Sequence, residues 1–96
     1  MKKKEGKIIQ QAAEEQHFIA ADGRRLGNVV DLANALDDMN DDVFNHHVTE
    51  DKNDFSNWVK NTLNEDELAD DIAKKKNRME TQLAIMKQIM NRFMDQ

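Results

Sequence analysis

The chain has 96 residues, of which 39% are apolar and 34% are charged, a composition typical of one small soluble domain with no room for a two-domain enzyme. It contains no cysteine, which excludes disulfides, thiolate zinc sites and thiol nucleophiles. No run approaches the ~18 apolar residues of a membrane-spanning helix, and no apolar run of signal-peptide length follows the N-terminal lysines. We therefore expect a full-length cytoplasmic protein with no membrane-bound part.

The formal net charge of −5 conceals a strong segregation of charge along the chain. Residues 1–25 carry a net charge of +2 and residues 72–96 carry +4. Residues 37–71, in contrast, carry twelve acidic and two basic side chains, a net charge of −10. A partner would therefore meet a polarised surface rather than a uniformly acidic one.

Little in the chain interrupts helices, because proline is absent and glycine occurs only three times. The apolar residues repeat mostly at helical spacing, which predicts a predominantly helical α+β fold with five or six short helices and one N-terminal β-hairpin. Residues 17–96 form the predicted domain. A basic, amphipathic segment precedes it, residues 1–16, in which the spacing of the apolar residues predicts a frayed helix from about Lys7.

The first element of the domain is the predicted hairpin. Asp22 and Gly23 stand between two short stretches that contain the apolar residues Phe18, Ile19 and Leu26, residues 17–20 and residues 24–26. An Asp-Gly pair is typical of a tight hairpin turn because glycine adopts a positive φ without strain. Since an isolated hairpin is only marginally stable in water, this one must lie against a helix or pair with another chain.

Four amphipathic helices are predicted next in the chain. Asn28 is the predicted N-cap of the first, and carboxylates at the start of the second begin a short helix at Asp41. Asn53 or Asp54 caps the third, and Asn64 caps the fourth. Their predicted buried stripes are Val29, Leu32, Ala33 and Leu36; Val43, Phe44, His47 and Val48; Phe55, Trp58, Val59, Thr62 and Leu63; and Leu68, Ala69, Ile72 and Ala73.

The last predicted helix begins at about Arg78 and has the broadest apolar surface. Its heptad-like stripe is wider than a strict coiled-coil seam, and one short neighbouring helix cannot cover it. We expect this helix to pack on its own domain with one edge and on a second copy or a partner protein with the other. Its methionines, which are flexible and polarizable, suit varied partners. The predicted interface residues are Leu83, Met86, Ile89, Met90 and Phe93, on a stripe that also holds Met79, Ile85 and Met94.

One cluster resembles a metal site: His46 and His47 with Glu50, Asp51 and Asp54. Imidazole and carboxylate together suit zinc or iron, but no spaced histidine motif accompanies them. The favoured interpretation is a core-facing His47 that is hydrogen-bonded to a carboxylate or backbone group, with His46 in solvent. We therefore predict no metal, no cofactor, no small-molecule substrate and no catalytic residue.

Basic residues near both ends of the chain make a nucleic-acid-associated protein an alternative. The basic runs and two hairpin arginines would form one phosphate-binding patch if the two ends of the chain pack together, although the −10 block in the same domain would repel a polyanion. The candidate contacts are Lys2, Lys3, Lys4, Arg24, Arg25, Lys74, Lys75, Lys76 and Arg78.

Residues 18–72 carry a distinctive combination of motifs: Phe18 followed by Asp22-Gly23, Leu32-Ala33 followed by Ala35-Leu36, Phe44 followed by His46-His47-Val48, and the run Asn53-Asp54-Phe55-Ser56-Asn57-Trp58-Val59. This stretch, a little over half of the chain, resembles a small uncharacterised domain family of archaeal and candidate-phylum bacterial proteins, for which no activity is established. The resemblance supplies no catalytic residues. It implies that five residues belong to one structural or binding constellation: His47, Asn53, Asp54, Phe55 and Trp58.

The sequence thus favours a non-enzymatic helical module for protein interaction or homodimerisation that acts through its methionine-rich C-terminal helix. A nucleic-acid-associated protein is the alternative, and a protein that binds a metal through histidine and carboxylate groups is a weaker one.

Overall fold

A computed structural model describes residues 9–94 of the chain. Within this range the chain forms one two-stranded antiparallel sheet and five α-helices, so the predicted predominantly helical α+β class is confirmed. The elements in chain order are β1 (Phe18–Ile19), β2 (Arg25–Leu26), α1 (Val29–Asp38), α2 (Asp41–His47), α3 (Asp54–Asn61), α4 (Asp66–Ala73) and α5 (Arg78–Met94).

The predicted hairpin is present, and Phe18 of β1 lies opposite Leu26 of β2. The N–H of Gly23 closes the turn by donating to the carbonyl of Ala20 at 2.8 Å. Gly23 has a φ of +93°, a left-handed conformation in which a side chain would be strained. Leu26 is buried, and the ring of Phe18 lies 4.9 Å from that of Phe55 in α3. The hairpin therefore lies against helices, as its small size requires.

The prediction of a helix from about Lys7 is wrong for the described part of the N-terminal segment, since residues 9–13 contain no helix. Lys7 itself lies outside the described residues. The backbone N–H of Ala12 donates instead to the carbonyl of Gly27 at 2.8 Å, and the Ala12 side chain is buried. A short helix is only marginally stable by itself, so a tertiary hydrogen bond and burial decide the conformation. Glu14–Gln16 form a single 3₁₀ turn.

The predicted N-caps of α1 and α3 are both present. The side-chain oxygen of Asn28 accepts the backbone N–H of Asp31 at 2.8 Å, and that of Asn53 accepts the N–H of Ser56 at 3.0 Å. These bonds satisfy donors that the first turn of a helix leaves unpaired. Asn53 rather than Asp54 is therefore the cap of α3, which leaves the carboxylate of Asp54 for another contact.

The prediction that Asn64 is the N-cap of α4 is wrong. Asn64 has a φ of 59° in the turn between α3 and α4. Helix α4 begins only at Asp66, after Glu65, whose side chain makes no capping bond. Asparagine tolerates the left-handed region better than most residues, so Asn64 serves the turn instead of the helix. Ala73, predicted for the buried stripe of α4, is exposed at the end of the helix.

The helices pack mainly as two pairs, α1 with α5 and α3 with α4, and α5 also contacts α4. The hydroxyl of Ser56 joins α3 to α4 by donating to the carbonyl of Ala69 at 2.7 Å. These pairs enclose one hydrophobic core, and α5 contributes only one of its sides to it. The largest fully buried side chains include Phe44, Phe55, Leu32, Leu36, Leu63, Leu68, Ile72 and Ile85.

Candidate functional site

Helix α5 has an inner face that holds it to the rest of the domain. Thr81, Ala84 and Ile85 are buried on this face. The hydroxyl of Thr81 is satisfied because it donates to the carbonyl of Asn77 at 2.9 Å. These contacts fix the rotation of α5 about its own axis, and so they determine which of its residues face outward.

The outer face of α5 is apolar and exposed. Six large apolar side chains lie on it, each between 46% and 69% exposed. At 3.6 residues per turn they fall within one arc of about 100°, turned away from Thr81 and Ile85. We call this surface the α5 apolar face, and its residues are Met79, Leu83, Met86, Met90, Phe93 and Met94.

Four of the five residues predicted for the interface belong to the α5 apolar face. The fifth, Ile89, is half-buried and packs against the hydrophobic core. It follows the buried Ile85 by one helical turn, which places it at the border between the inner and outer faces. The structure therefore assigns Ile89 partly to the core and only partly to the surface.

A groove of about 480 Å³ runs beside the α5 apolar face, between α5 and α1. Gln82 joins the two helices here, because its Nε2 donates to the carbonyl of Ala33 at 3.0 Å and to Oδ1 of Asp37 at 3.2 Å. Val30 is 37% exposed and extends the apolar surface onto α1. The apolar lining of the groove includes Val30, Ala33, Met86, Ile89 and Met90.

Val30 and Asp37 are not among the site residues predicted from the sequence. Val30 follows Val29 directly and falls off the buried stripe of α1, which is only a weak signal of an exposed apolar surface. Its place beside α5 depends on the packing of α1 against α5, and local sequence patterns do not specify that packing.

The α5 apolar face is bordered by side chains of opposite charge. Asp37 stands on the α1 side, next to Gln82. On the other side Lys87 is exposed and, within residues 9–94, forms no salt bridge. The edge around Lys87 has a small net positive charge, since the charged residues that line the shallow pocket there are Asp71, Lys74, Lys75, Glu80 and Lys87.

His47 is buried, and both of its ring nitrogens are hydrogen-bonded. Nε2 lies 3.0 Å from the backbone nitrogen of Ala21, and Nδ1 lies 3.0 Å from Oδ2 of Asp54. Because a backbone N–H can only donate, Nε2 is the acceptor, and the ring proton stands on Nδ1 and is donated to Asp54. His46 is exposed. The predicted core-facing role of His47, bonded to a carboxylate and to the backbone, is confirmed.

Asp54 connects His47 to Lys52, whose Nζ lies 3.0 Å from the same carboxylate oxygen. Burial raises the pKa of Asp54, but the hydrogen bonds from His47 and Lys52, together with the positive charge of Lys52, lower it by more. The pKa of Asp54 therefore lies below its ordinary value. An ionised carboxylate is thus the acceptor for both neighbours at neutral pH.

Asn53, Phe55 and Trp58 complete this cluster. The Nδ2 of Asn53 donates to the carbonyl of Ile72 at 3.2 Å, and the ring of Phe55 lies 5.2 Å from that of His47. The indole nitrogen of Trp58 donates to a backbone carbonyl before β1 at 2.9 Å. The five residues of the predicted constellation therefore lie together and join separate parts of the fold. We call them the His47 cluster.

The described residues offer no ready metal site around these histidines. Both nitrogens of His47 are occupied by protein groups. Across residues 9–94, no group of three or more His, Cys, Asp and Glu side chains is arranged to hold a metal ion. The polar atoms of the His47 cluster stabilise the fold.

Two of the predicted phosphate contacts, Arg24 and Arg78, bind the C-terminal end of α1. Arg24 pairs with Asp38 at 2.8 Å and donates to the carbonyl of Ala35 at 3.2 Å. Arg78 donates to the carbonyl of Asp37 at 3.0 Å. A cation at a helix C-terminus satisfies carbonyls that have no partner within the helix. These two arginines therefore have a structural role.

The remaining predicted contacts differ in their surroundings. Arg25 donates to the carbonyl of Glu14 at 3.1 Å, and Lys75 pairs with Asp71 at 3.6 Å. Lys74 and Lys76 are exposed. The three N-terminal lysines, Lys2, Lys3 and Lys4, lie outside the described residues.

No helix in the described part of the chain is both long and apolar enough to cross a membrane. Comparison with known proteins gives no match among family models, curated proteins or solved structures. The resemblance of residues 18–72 to an uncharacterised domain family thus stays a prediction.

Proposed function

We propose that this protein is a non-enzymatic helical module that binds another protein chain through the α5 apolar face. The observation that carries the proposal is the exposure of six large apolar side chains on one side of a single helix. Scattered exposed apolar residues are normal on protein surfaces, but a contiguous patch of them is typical of an interaction site.

The size of the patch supports this proposal. With ~200 Å² for a fully exposed large apolar residue, the α5 apolar face and Val30 expose on the order of 700 Å². The largest apolar patch of a typical monomer is about 300–600 Å², and a standard interface buries about 800 Å² on each partner.

The residue types on the face also support binding. Four of its six residues are methionines, whose unbranched side chains adapt to the shape of a partner. Phe93 adds a large aromatic anchor, a residue type that contributes strongly to interfaces. A helix that needed only to complete its own core would bury such side chains, whereas α5 buries Thr81, Ala84 and Ile85 instead.

The non-enzymatic part of the proposal is supported by the His47 cluster. Its histidine and carboxylate are hydrogen-bonded to groups of the fold, so neither is a free base in a cleft. We further propose a cytoplasmic location, which the lack of cysteine supports because a reducing compartment has no need of disulfides.

The proposal is tested by placing two charges at the centre of the face, in the double variant Met86→Glu with Met90→Glu. Both side chains are about half exposed, so the fold should persist while association weakens by at least about 100-fold, because the charges cannot be buried without partners. Sedimentation equilibrium from 1 to 100 µM measures self-association. Capture from extracts of the source cells measures binding to other chains.

The matched control is Asn91→Glu, an exposed position of α5 outside the α5 apolar face, which should associate like the wild type. Circular dichroism should give the same helix content for all three proteins. If the double variant associates as strongly as the wild type, or if the wild type binds neither itself nor any other chain, the proposal is wrong.

Nucleic-acid binding is the second candidate, and the exposed Lys74 and Lys76 favour it. It has less support, because Arg24, Arg25 and Arg78 already donate to groups of the protein. Titration of labelled DNA and RNA at low salt tests it, since phosphate contacts make affinity fall steeply with added salt. Absence of salt-sensitive binding would eliminate this function.

A further inference from the structure

We infer that the partner of the α5 apolar face is a second copy of this chain, with the two α5 helices parallel and related by a two-fold axis. This inference rests on the proposed function and adds the identity and orientation of the partner. Three observations support it: the spacing of the apolar residues, the charges at the two edges of the face and the area available.

The spacing makes the face complementary to itself. Five of its residues repeat at intervals of four and three, which corresponds to the d and a positions of heptads in a two-stranded coiled coil. In a parallel pair each such residue meets its own counterpart, so Leu83 packs on the partner's Leu83 and Met90 on the partner's Met90. The five residues are Met79, Leu83, Met86, Met90 and Phe93.

The charges at the edges favour the parallel orientation. In a parallel pair the residue before Leu83, Gln82, faces the partner's Lys87. Gln82 is hydrogen-bonded to the carboxylate of Asp37, so that lysine reaches an acidic group, and the two-fold axis repeats the contact. In an antiparallel pair that sets Leu83 opposite the partner's Phe93, Lys87 lies close to the partner's Lys87 instead. Opposite charges across an interface favour its formation and like charges oppose it, which favours the parallel arrangement over this antiparallel one.

The same arrangement covers the apolar residues at the edge of the face. Ile89, half-buried at the border of the core, stands opposite the partner's Met94, which is one of the two most exposed large apolar residues of α5. With on the order of 700 Å² from each chain, the pair buries roughly 1,400 Å², within the range of about 1,200–2,000 Å² for stable interfaces.

Cross-linking distinguishes the orientations, because the natural chain contains no cysteine and one can be introduced at a single place. In a parallel pair, Leu83→Cys brings two identical Cα atoms within the ~4.4–6.8 Å that a disulfide requires. In the antiparallel pair that sets position 83 opposite the partner's Phe93, the two introduced cysteines are about 15 Å apart. We expect more than half of Leu83→Cys to form a covalent dimer under mild oxidation, and Met90→Cys to behave alike.

The matched control is Asn91→Cys, which is exposed on the same helix outside the α5 apolar face and should remain monomeric on a denaturing gel. A mixture of Leu83→Cys and Phe93→Cys chains tests the other orientation. A covalent dimer that contains both variants, without one in Leu83→Cys alone, overturns the parallel arrangement and leaves the proposed function intact.

A charge exchange provides the second test. Lys87→Asp places a negative charge close to the partner's Asp37 and should weaken dimerisation about tenfold. Lys87→Asp combined with Asp37→Lys should restore most of the lost affinity. If both variants dimerise equally weakly, the proposed contact between Lys87 and the partner's Asp37 does not form. A wild type that stays monomeric at 100 µM overturns the inference altogether, and face-dependent capture of a different chain would then show that the proposed function survives.

Discussion

The His47 cluster and the α5 apolar face differ in which side chains are buried and in whether those side chains have partners. In the His47 cluster, polar groups that are difficult to bury are all supplied with partners from the same chain. On the α5 apolar face, side chains that are easy to bury remain in solvent. The comparison teaches that residue chemistry alone does not locate a binding surface. In this domain the surface left without partners is apolar, and it lies on α5.

The largest expected difference between the two regions is in stability. Phe55 is fully buried beside His47, and Phe55→Ala should lower the free energy of unfolding by about 3–5 kcal/mol, because it leaves a cavity as well as losing buried area. Urea denaturation at a protein concentration below that of association measures the change.

Phe93→Ala is the matched control, since it truncates the same side chain on the α5 apolar face, where Phe93 is 47% exposed. We expect this variant to lower the free energy of unfolding of the monomer by less than about 1 kcal/mol. Equal losses of unfolding free energy in the two variants would contradict the difference between the buried His47 cluster and the exposed α5 apolar face.

A smaller effect is expected at the carboxylate of the cluster. Asp54→Ala leaves the Nδ1 proton of buried His47 without an acceptor, and should lower the free energy of unfolding by about 1–2 kcal/mol. Asp54→Asn keeps an oxygen acceptor in a side chain of the same shape. It should lower the free energy of unfolding by less than half as much as Asp54→Ala does. Denaturant titration of the three proteins at pH 7 provides the comparison. If Asp54→Asn loses as much as Asp54→Ala, the charge of Asp54 matters more than its hydrogen bond.

The smallest effect is the pH dependence that Asp54 contributes. Because the pKa of Asp54 is lower in the folded than in the unfolded chain, the unfolded chain binds more protons in the interval between the two values. The stabilisation is complete above the unfolded pKa of about 4 and is lost as the pH falls through the folded pKa.

The matching measurement is the stability of the wild type and of Asp54→Asn between pH 7 and pH 3. The advantage of the wild type should shrink as the medium becomes acidic, since the substituted side chain does not titrate. An advantage that grows toward pH 3 would show that the sign of the pKa shift is wrong. No such dependence is expected from the α5 apolar face, whose six residues carry no titratable group.

Much of the fold could be predicted because its signals are local. Asn28 and Asn53 act as caps at the predicted positions, and Gly23 provides the positive φ that the hairpin turn requires. In these cases a residue and its partners are only a few positions apart, so short-range sequence patterns contain the relevant physics. The core-facing role of His47 also follows from its phase with the neighbouring apolar residues.

The errors fall where distant contacts compete with local preference. Asn64 has the properties of a helix cap, yet it adopts the left-handed conformation of a turn. Residues 9–13 have helical spacing, yet the backbone of Ala12 bonds to Gly27. Neither outcome is specified by the neighbouring residues alone.

By itself, the sequence determined that this is a small cysteine-free helical domain with a polarised charge and more apolar surface on its last helix than one neighbour can cover. The tertiary structure decided which side of that helix remains open, because the burial of Thr81, Ala84 and Ile85 fixes its rotation. It also decided that Val30 and Asp37 of α1 border the open face. The physical reason is that periodicity specifies the angular spread of apolar residues around a helix, whereas packing between distant elements selects which part of that spread is covered.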